Sequence, residues 1–219
     1  MADLVELADG VEEAEAVPAL MAAFAGWRVG AAPPLGKALV AAGARTHRHA
    51  HVMSRDLRRD PAPAAWLAPP VPEGFRLTAV DRPASELAPV AELAYPPGHP
   101  DHHPEPEEPE LEEIMSGRLL GPLLPCSALA LDAEGEVAGA ILVNDSDGEP
   151  PFGGPWLAQI FRRPDAAGLG TALLRRALAA GTRDGLAAIG LAVTDANPAR
   201  ARYAALGFAE VLESLSVDV

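Results

Sequence analysis

The chain has 219 residues, of which 49% are hydrophobic, and its formal net charge is -14 at pH 7. This length and apolar content predict one large or two small globular domains. The charge excludes nucleic acid and an anionic membrane as main partners, since both require a basic face, and the single cysteine excludes an intrachain disulfide. No stretch has the pattern of a signal peptide or a membrane span, so we expect a cytoplasmic protein without a membrane partner and leave a homodimer open.

Repeated proline from Pro61 to Pro72 marks the clearest boundary along the chain. Proline removes backbone donors and disfavours helix, so this stretch predicts a linker, 61–72. It separates an N-terminal extension, 1–60, from a main domain, 73–219. Helical spacing of apolar residues in the extension predicts helices over Val11–Phe24 and Leu35–Ala42.

Three histidines occur at alternate positions in Arg45–Leu57, a stretch that alternates polar and apolar residues and predicts a strand. His47, His49 and His51 would share one face of that strand. They form either a metal cluster or a polar strand face. Because the sequence identifies no fourth ligand and no second shell, we expect no metal site.

The main domain begins with a predicted strand, Phe75–Val80, and a predicted helix, Pro83–Ala94. Tyr95–Glu110 is rich in proline and charge and is predicted to be a loop. A short helix over Leu111–Met115 follows, and then two apolar runs joined by Asp132–Gly135, which predict a hairpin. The later predicted elements are a strand at Trp156–Arg162, a helix at Thr171–Asp184, a strand at Ala187–Val193, a helix at Pro198–Leu206 and a strand region at Phe208–Val219.

A glycine-containing turn joins the strand at Trp156 to the next helix. Gly168 and Gly170 leave no side chain between the backbone and a ligand, so backbone N–H groups and the positive end of the helix dipole could face a pyrophosphate. A Gly-x-Gly at a strand-to-helix turn also occurs as plain turn chemistry. The turn alone therefore leaves both interpretations open.

Two side chains near the C-terminus add a second candidate feature. Asn197 follows a predicted parallel strand, at the edge where ligands of open α/β sheets bind, although it could equally cap the helix that begins at Pro198. Tyr203 could donate a proton to a leaving group or could be a packed aromatic side chain.

Together these segments resemble the GNAT superfamily of N-acyltransferases. The stretch IFRRPDAAGLGTALLRRAL is similar to its acyl-CoA-binding motif, and LAVTDANPARARYAALGFAEV is similar to its C-terminal motif. The resemblance covers Glu73–Val219, with the elements in the order of that family. It implies an α/β (α+β) fold with a mixed, mostly antiparallel central sheet flanked by helices, to which the N-terminal α/β extension is added.

The resemblance also implies acetyl-CoA as the acyl donor and assigns residues to it. The backbone of the turn would hold the pyrophosphate, a strand edge would bond the pantetheine amides, and Tyr203 would protonate the departing thiolate. Asn197 would contact the pantetheine arm, and Arg202 or Arg200 would meet CoA phosphates. The turn residues are Ala167, Gly168, Leu169, Gly170 and Thr171, and the strand-edge residues are Ile160, Phe161 and Arg162.

One residue departs from the pattern of the resembled family. Asp165 stands where that family has Gln or Arg, and a carboxylate beside a pyrophosphate is unfavourable. The neighbouring arginines, Arg162, Arg163, Arg175 and Arg176, could offset it. The sequence leaves open whether the departure weakens cofactor affinity.

The acceptor side is predicted in the loop that begins at Tyr95. In the resembled fold this segment borders the acceptor site, and a base there would deprotonate the incoming ammonium. A solvated acidic loop is the alternative interpretation, and its prolines argue against converging metal ligands. The candidates are Tyr95, His99, Asp101, His102, His103 and Glu105.

We therefore predict an acyl-CoA-dependent N-acetyltransferase that moves an acetyl group to a primary amine, in a small molecule or a protein. A catalytically silent CoA-binding or regulatory module and a nucleotide-binding protein are the alternatives. For 1–60, the helix end, glycine and strand from Leu39 repeat the pattern that begins at Tyr203. The extension is thus either a degenerate partial copy of the same fold or unrelated to it.

Overall fold

A computed structural model describes residues 2–102, 104–150 and 153–219. These residues contain nine strands, six α-helices and one 3-10 helix, η1. In chain order the elements are β1 Ala2–Val5, α1 Glu13–Ala23, β2 Arg28–Ala31, α2 Pro33–Ala41, β3 Arg45–Asp56, η1 Ala64–Leu67, β4 Arg76–Thr78, α3 Ala84–Ala94, α4 Glu107–Met115, β5 Ala128–Leu131, β6 Val137–Ser146, β7 Gly154–Arg162, α5 Leu169–Arg183, β8 Ala188–Thr194, α6 Ala199–Ala205 and β9 Ala209–Asp218.

The chain divides into two compact units that do not follow chain order. Unit 1 consists of Met1–Val52, Ala192–Ala196 and Glu210–Val219, and unit 2 consists of Met53–Leu191 and Asn197–Ala209. Strands β3 and β8 each contribute residues to both units. The proposed division into extension, linker and main domain stays a prediction.

Unit 1 has a sheet in the order β1, β2, β9, β3, with β1 parallel to β2 and β2 antiparallel to β9. Helices α1 and α2 pack together, and their apolar side chains share a core with Val29, Leu215 and Val217 of the sheet. Helix α2 comes close to β9 at Gly36, where an added Cβ would lie 2.7 Å from Cβ of Leu215. Only glycine permits this helix-to-strand approach.

Unit 2 has a sheet in the order β8, β7, β6, β5, β4, in which only the β7 and β8 pair is parallel among the pairings described. Helices α3 and α4 bury Leu87 and Leu111 against Ala140 and Leu142 of β6. Side chains of a strand alternate between its faces, so Ile141, between Ala140 and Leu142, faces the other side, and α5 packs on β5, β6 and β7. Strand β7, which leads into the glycine turn, therefore contacts both α3 and α5.

The mixed, mostly antiparallel sheet flanked by helices confirms the predicted fold class. Sequence patterns did not predict β1 and β2, which have four residues each. The Pro61–Pro72 stretch contains η1, and Ala62 is buried there, its N–H donating to Thr182 Oγ1 at 3.1 Å. Within the described ranges, no helix has the length and apolar character that crossing a membrane requires.

Candidate active site

The glycine turn begins helix α5. Gly168 is the N-cap residue, with φ of 94°, a left-handed conformation that strains other residues. Leu169 is fully buried and anchors the first turn, whereas Ala167 and Gly168 are exposed. The turn therefore presents backbone, rather than side chains, to its surroundings.

The first turn of α5 has the properties of an anion site. The first amides of a helix lack intrahelical acceptors; Gly170 and Thr171 occupy such positions, whereas the Leu169 amide donates to the Ala166 carbonyl at 3.3 Å. That described turn carries no acidic side chain. An ideal Cβ built on Gly170 would meet no described heavy atom within 4 Å, so the backbone is open on this side. The turn fits a pyrophosphate in charge and in shape.

Asp165 is paired with a neighbouring arginine. Arg163 Nε lies 3.4 Å from Asp165 Oδ1, and Arg163 Nη1 donates to Asp132 Oδ2 at 2.8 Å. Burial by itself would raise the pKa of Asp132, but the Glu136 amide and the Arg163 guanidinium hold it below its ordinary value. Arg163 thus links the β5–β6 hairpin turn to the segment that leads into the glycine turn, and it offsets part of the Asp165 charge.

Two of the other arginines predicted to offset Asp165, Arg162 and Arg175, have partners of their own. Arg162 Nη1 donates to the carbonyls of Arg163 and Pro164, at 2.7 and 3.0 Å, and so braces the turn. The Arg175 guanidinium lies over the Trp66 ring, 5.4 Å from its centroid.

The predicted pantetheine edge lies at the end of β7. Phe161 is buried, and the Ile160 carbonyl accepts a hydrogen bond from the Tyr95 hydroxyl at 2.7 Å. Tyr95 also packs edge-on against His99, with ring centroids 5.1 Å apart. The Tyr95 loop and the strand edge therefore meet directly.

Asn197 and Asp101 meet although 96 positions separate them in the chain. Asn197 Nδ2 donates to the Asp101 carboxylate, and Asn197 Oδ1 accepts from Ala199 N at 2.8 Å. The amide thus both caps α6 and holds the acceptor-side loop. Asp101 N in turn donates to His99 Nδ1 at 3.1 Å, which fixes the loop locally.

Tyr203 lies on α6, 6% exposed, with its ring edge-on to Phe208. Burial, and next the negative charge of Asp101, raise the pKa of Tyr203 to about 12, while Arg202 acts in the opposite direction. Its hydroxyl therefore keeps its proton at neutral pH. Arg202 is exposed one residue earlier on the same helix.

The structure separates the remaining loop candidates. His102 is exposed, with Nδ1 2.9 Å from the Tyr95 carbonyl oxygen, and Glu105 is exposed, while His103 lies outside the described residues. Of the acceptor-side candidates, Tyr95, His99 and Asp101 are thus connected to one another and to Asn197.

The predicted loop ends earlier than expected, because α4 begins at Glu107 rather than at Leu111. The prolines did not prevent this. Pro106 is the N-cap residue and Pro109 lies in the first turn, where a missing N–H costs nothing.

Comparisons with known proteins identify the family. The model of the acetyltransferase (GNAT) family matches residues 87–208, more than half of the chain. The chain belongs to the GNAT family of acetyltransferases. The matched residues include most of α3, the glycine turn, Asn197 and Tyr203.

Solved GNAT structures have the same fold. A GCN5-related N-acetyltransferase from Sphaerobacter thermophilus is 22% identical, with a TM-score of 0.62, 89% of this chain covered and 60% of that one. A tandem GNAT protein from the clavulanic acid biosynthesis pathway, solved without acetyl-CoA, is 24% identical, with a TM-score of 0.59 and coverages of 87% and 62%. One from Kribbella flavida is 15% identical, with a TM-score of 0.55 and coverages of 94% and 76%. No curated protein matches by sequence.

This chain therefore spans about three fifths of the length of the first two structures. At these identities the likeness shows the fold alone.

Sequence reasoning missed one residue of this GNAT site. Glu107 is a buried carboxylate at the start of α4, and its charge contributes to raising the pKa of Tyr95, behind burial and the nearer charges of Tyr203 and Asp101. The available signal was the charged Glu-Glu-Pro-Glu run, which reads as a solvated loop. The burial of one of its carboxylates depends on packing that the local sequence does not encode.

Proposed function

We propose that this GNAT chain transfers an acetyl group from acetyl-CoA to a primary amine by direct attack of the amine. The observation that carries the proposal is the family match over 87–208, which includes both a helix N-terminus suited to pyrophosphate and a buried, protonated tyrosine. Cytoplasmic location remains part of the proposal.

The glycine turn is the proposed binding site for the pyrophosphate. The amides of Gly168, Gly170 and Thr171 would donate to phosphate oxygens, aided by the helix dipole. The Asp165 charge opposes this, but Arg163 lies beside it. The β7 edge at Ile160–Arg162 and the Asn197 amide would hold the pantetheine arm.

Bound acetyl-CoA would supply an activated acetyl thioester. The protein mainly aligns an uncharged amine with that carbonyl, because the thioester needs no covalent enzyme intermediate. The amine nitrogen would form a bond to the carbonyl carbon, the carbon–sulfur bond would break, and the nitrogen would lose one proton to water, from which Tyr203 is reprotonated after each turnover. Tyr203 would then donate its proton to the thiolate sulfur.

Asp101 is the proposed contact for the amine. Its carboxylate is held by Asn197, and its charge acts on both Tyr95 and Tyr203. Glu107 and Glu110 also act on Tyr95, so the acceptor side is acidic. An acidic surrounding favours the binding of a cationic acceptor.

The test is thiol release from acetyl-CoA with a panel of small primary amines and lysine peptides, followed with a thiol-reactive dye and checked by product mass. The protein's own thiol does not interfere, because Cys126 is buried and burial raises its pKa to about 12. Acetylated product in any amine reaction supports the proposal. Acetyl-CoA binding by calorimetry without turnover across the panel would instead indicate a silent CoA-binding module.

A thermal-shift measurement distinguishes a nucleotide-binding protein from one that binds acyl-CoA. Acetyl-CoA should raise the unfolding temperature, whereas ATP and NAD at the same concentration should not. Stabilisation by ATP or NAD but not by acetyl-CoA would refute the acyl-CoA site.

A further inference from the structure

Two histidines, His49 and His51, and three carboxylates, Asp195, Glu210 and Glu213, form a cluster within unit 1. His49 and His51 are alternate residues of β3 and therefore point to the same face. Glu210 and Glu213 come from β9, the strand next to β3 in the sheet, and Asp195 directly follows β8.

Each imidazole has carboxylates at both ring nitrogens. His51 Nε2 lies 2.8 Å from Asp195 Oδ1, and His51 Nδ1 lies 2.8 Å from Glu210 Oε2, the latter without hydrogen-bond geometry. His49 Nε2 lies 2.7 Å from Glu213 Oε1, and His49 Nδ1 lies 3.8 Å from Asp195 Oδ2. When one nitrogen of such a ring binds a metal, a carboxylate at the other fixes its orientation and raises its basicity.

We propose that His49, His51 and Glu213 form a binding site for a divalent transition-metal ion of the zinc type, supported by Asp195 and Glu210. One donor atom from each of the first three residues lies within 4.8 Å of the other two. Donors that share a tetrahedral zinc ion at about 2.1 Å are about 3.4 Å apart, so shifts of about an ångström complete the site.

The chemistry of the donors favours this class of ion. Imidazole nitrogen with carboxylate oxygen suits zinc and its neighbours, whereas calcium and magnesium prefer oxygen alone. Three carboxylates surround two imidazoles, and a divalent cation offsets that negative charge. Binding replaces the hydrogen bond between His49 Nε2 and Glu213 Oε1 with bonds from both atoms to the ion.

The cluster is also held in place before any ion binds. His51 is 3% exposed, and Asp195 N donates to the His49 carbonyl at 2.9 Å, which fixes the Asp195 backbone beside the strand. Arg48 Nε donates to Thr194 Oγ1 at 2.9 Å on the residue before Asp195. The bound ion would tie β3, β9 and the end of β8 together.

The test is metal binding by the full chain without a histidine tag. Zinc affinity is measured by competition with a chromogenic chelator, and cobalt replaces zinc to give an absorption spectrum that reports coordination by nitrogen and oxygen. We expect one equivalent of zinc to bind with a dissociation constant below about 1 μM and to raise the unfolding temperature. A dissociation constant above about 100 μM at neutral pH would overturn the proposal.

Variants locate the ion. His49→Gln and Glu213→Gln, both at partly exposed residues, should each weaken zinc binding at least about a hundredfold, and Glu210→Gln about tenfold. Circular dichroism without metal checks that each variant folds.

The matched control is His47→Gln, on the same strand and outside the cluster, which should bind zinc like the parent. The double variant His99→Gln/His102→Gln, in unit 2, should do the same. If His49→Gln binds zinc as tightly as the parent does, or if either control loses as much affinity as His49→Gln, the assignment is wrong.

Discussion

Tyr203 is the side chain whose chemistry the proposed reaction uses most directly. Tyr203→Phe removes only a hydroxyl, so we expect kcat to fall at least about a hundredfold while KM for acetyl-CoA stays within about twofold. Steady-state kinetics at saturating amine measure both constants.

Tyr95→Phe is the matched control, because it makes the same change in the other tyrosine of the site. Its hydroxyl donates to the Ile160 carbonyl at the pantetheine edge, so its loss should act on KM for acetyl-CoA more than on kcat. Equal kcat losses in the two variants would remove the special role of Tyr203.

Both tyrosines of the chain should ionise at a higher pH than a free phenol does. A free phenol titrates near pH 10, whereas burial raises the pKa of Tyr203 to about 12 and that of Tyr95 also upward. The folded state thus holds protons that the unfolded state has lost. Protonated Tyr203 contributes on the order of 2–3 kcal/mol to the free energy of unfolding. This contribution is fully present below about pH 10 and is lost as the pH rises through about 12.

Phenolate absorbance at 295 nm against pH measures this directly, because the chain has only two tyrosines. Little absorbance should appear up to about pH 10.5 in the folded protein, and the ordinary curve should return in denaturant. An ordinary titration in the folded protein would contradict the burial of both phenols.

At the scale of elements, the first turn of α5 carries two glycines with opposite constraints. Gly168→Ala places a side chain at φ of 94° and should destabilise by about 1 kcal/mol. Gly170→Ala meets no described atom within 4 Å and should stabilise by about 0.5 kcal/mol through helix propensity. If the turn binds pyrophosphate, both variants should weaken acetyl-CoA binding.

Thermal unfolding and calorimetry with acetyl-CoA separate the two effects. Gly185→Ala is the control, since Gly185 has φ of 79° just beyond the other end of the same helix. It should lose stability and keep its affinity. Unchanged affinity in Gly170→Ala would argue against a ligand at this turn.

Elements with long periodic patterns could be predicted from sequence, and those fixed by distant contacts could not. Helix α5 and the β5–β6 hairpin follow local apolar spacing and glycine turns. The start of α4 could not be predicted because its prolines argue against helix, although both lie where a missing N–H costs nothing. In the candidate site, the glycine turn could be predicted from the local sequence. The contact between Asn197 and Asp101 could not, because it joins residues 96 positions apart and depends on the fold.

At the scale of the whole molecule, the net charge of -14 should make stability salt-dependent. Raising the ionic strength from 0.01 to 0.15 M shortens the Debye length from about 30 to about 8 Å and screens self-repulsion. We expect the unfolding temperature at pH 7.5 to rise by about 2–4 °C, as a gain of about 1 kcal/mol gives for this chain length. Circular dichroism melts at both salt concentrations measure it.

The same melts near pH 5 provide the control, because the isoelectric point is about 4.7 and net repulsion is small there. The salt effect should then shrink. A fall in unfolding temperature with salt at pH 7.5 would mean that attractive surface ion pairs outweigh the net charge.

The composition of unit 1 has a consequence for biosynthesis. Its core takes Val29 and Leu39 from the first part of the chain and Leu215 and Val217 from β9, which is synthesised after unit 2. While the ribosome is still translating unit 2, the apolar faces of α2 and β2 lack the strand that covers them. Unit 1 can therefore complete its core only after residues 210–219 have emerged from the exit tunnel, and its apolar faces are open to non-native contacts until then.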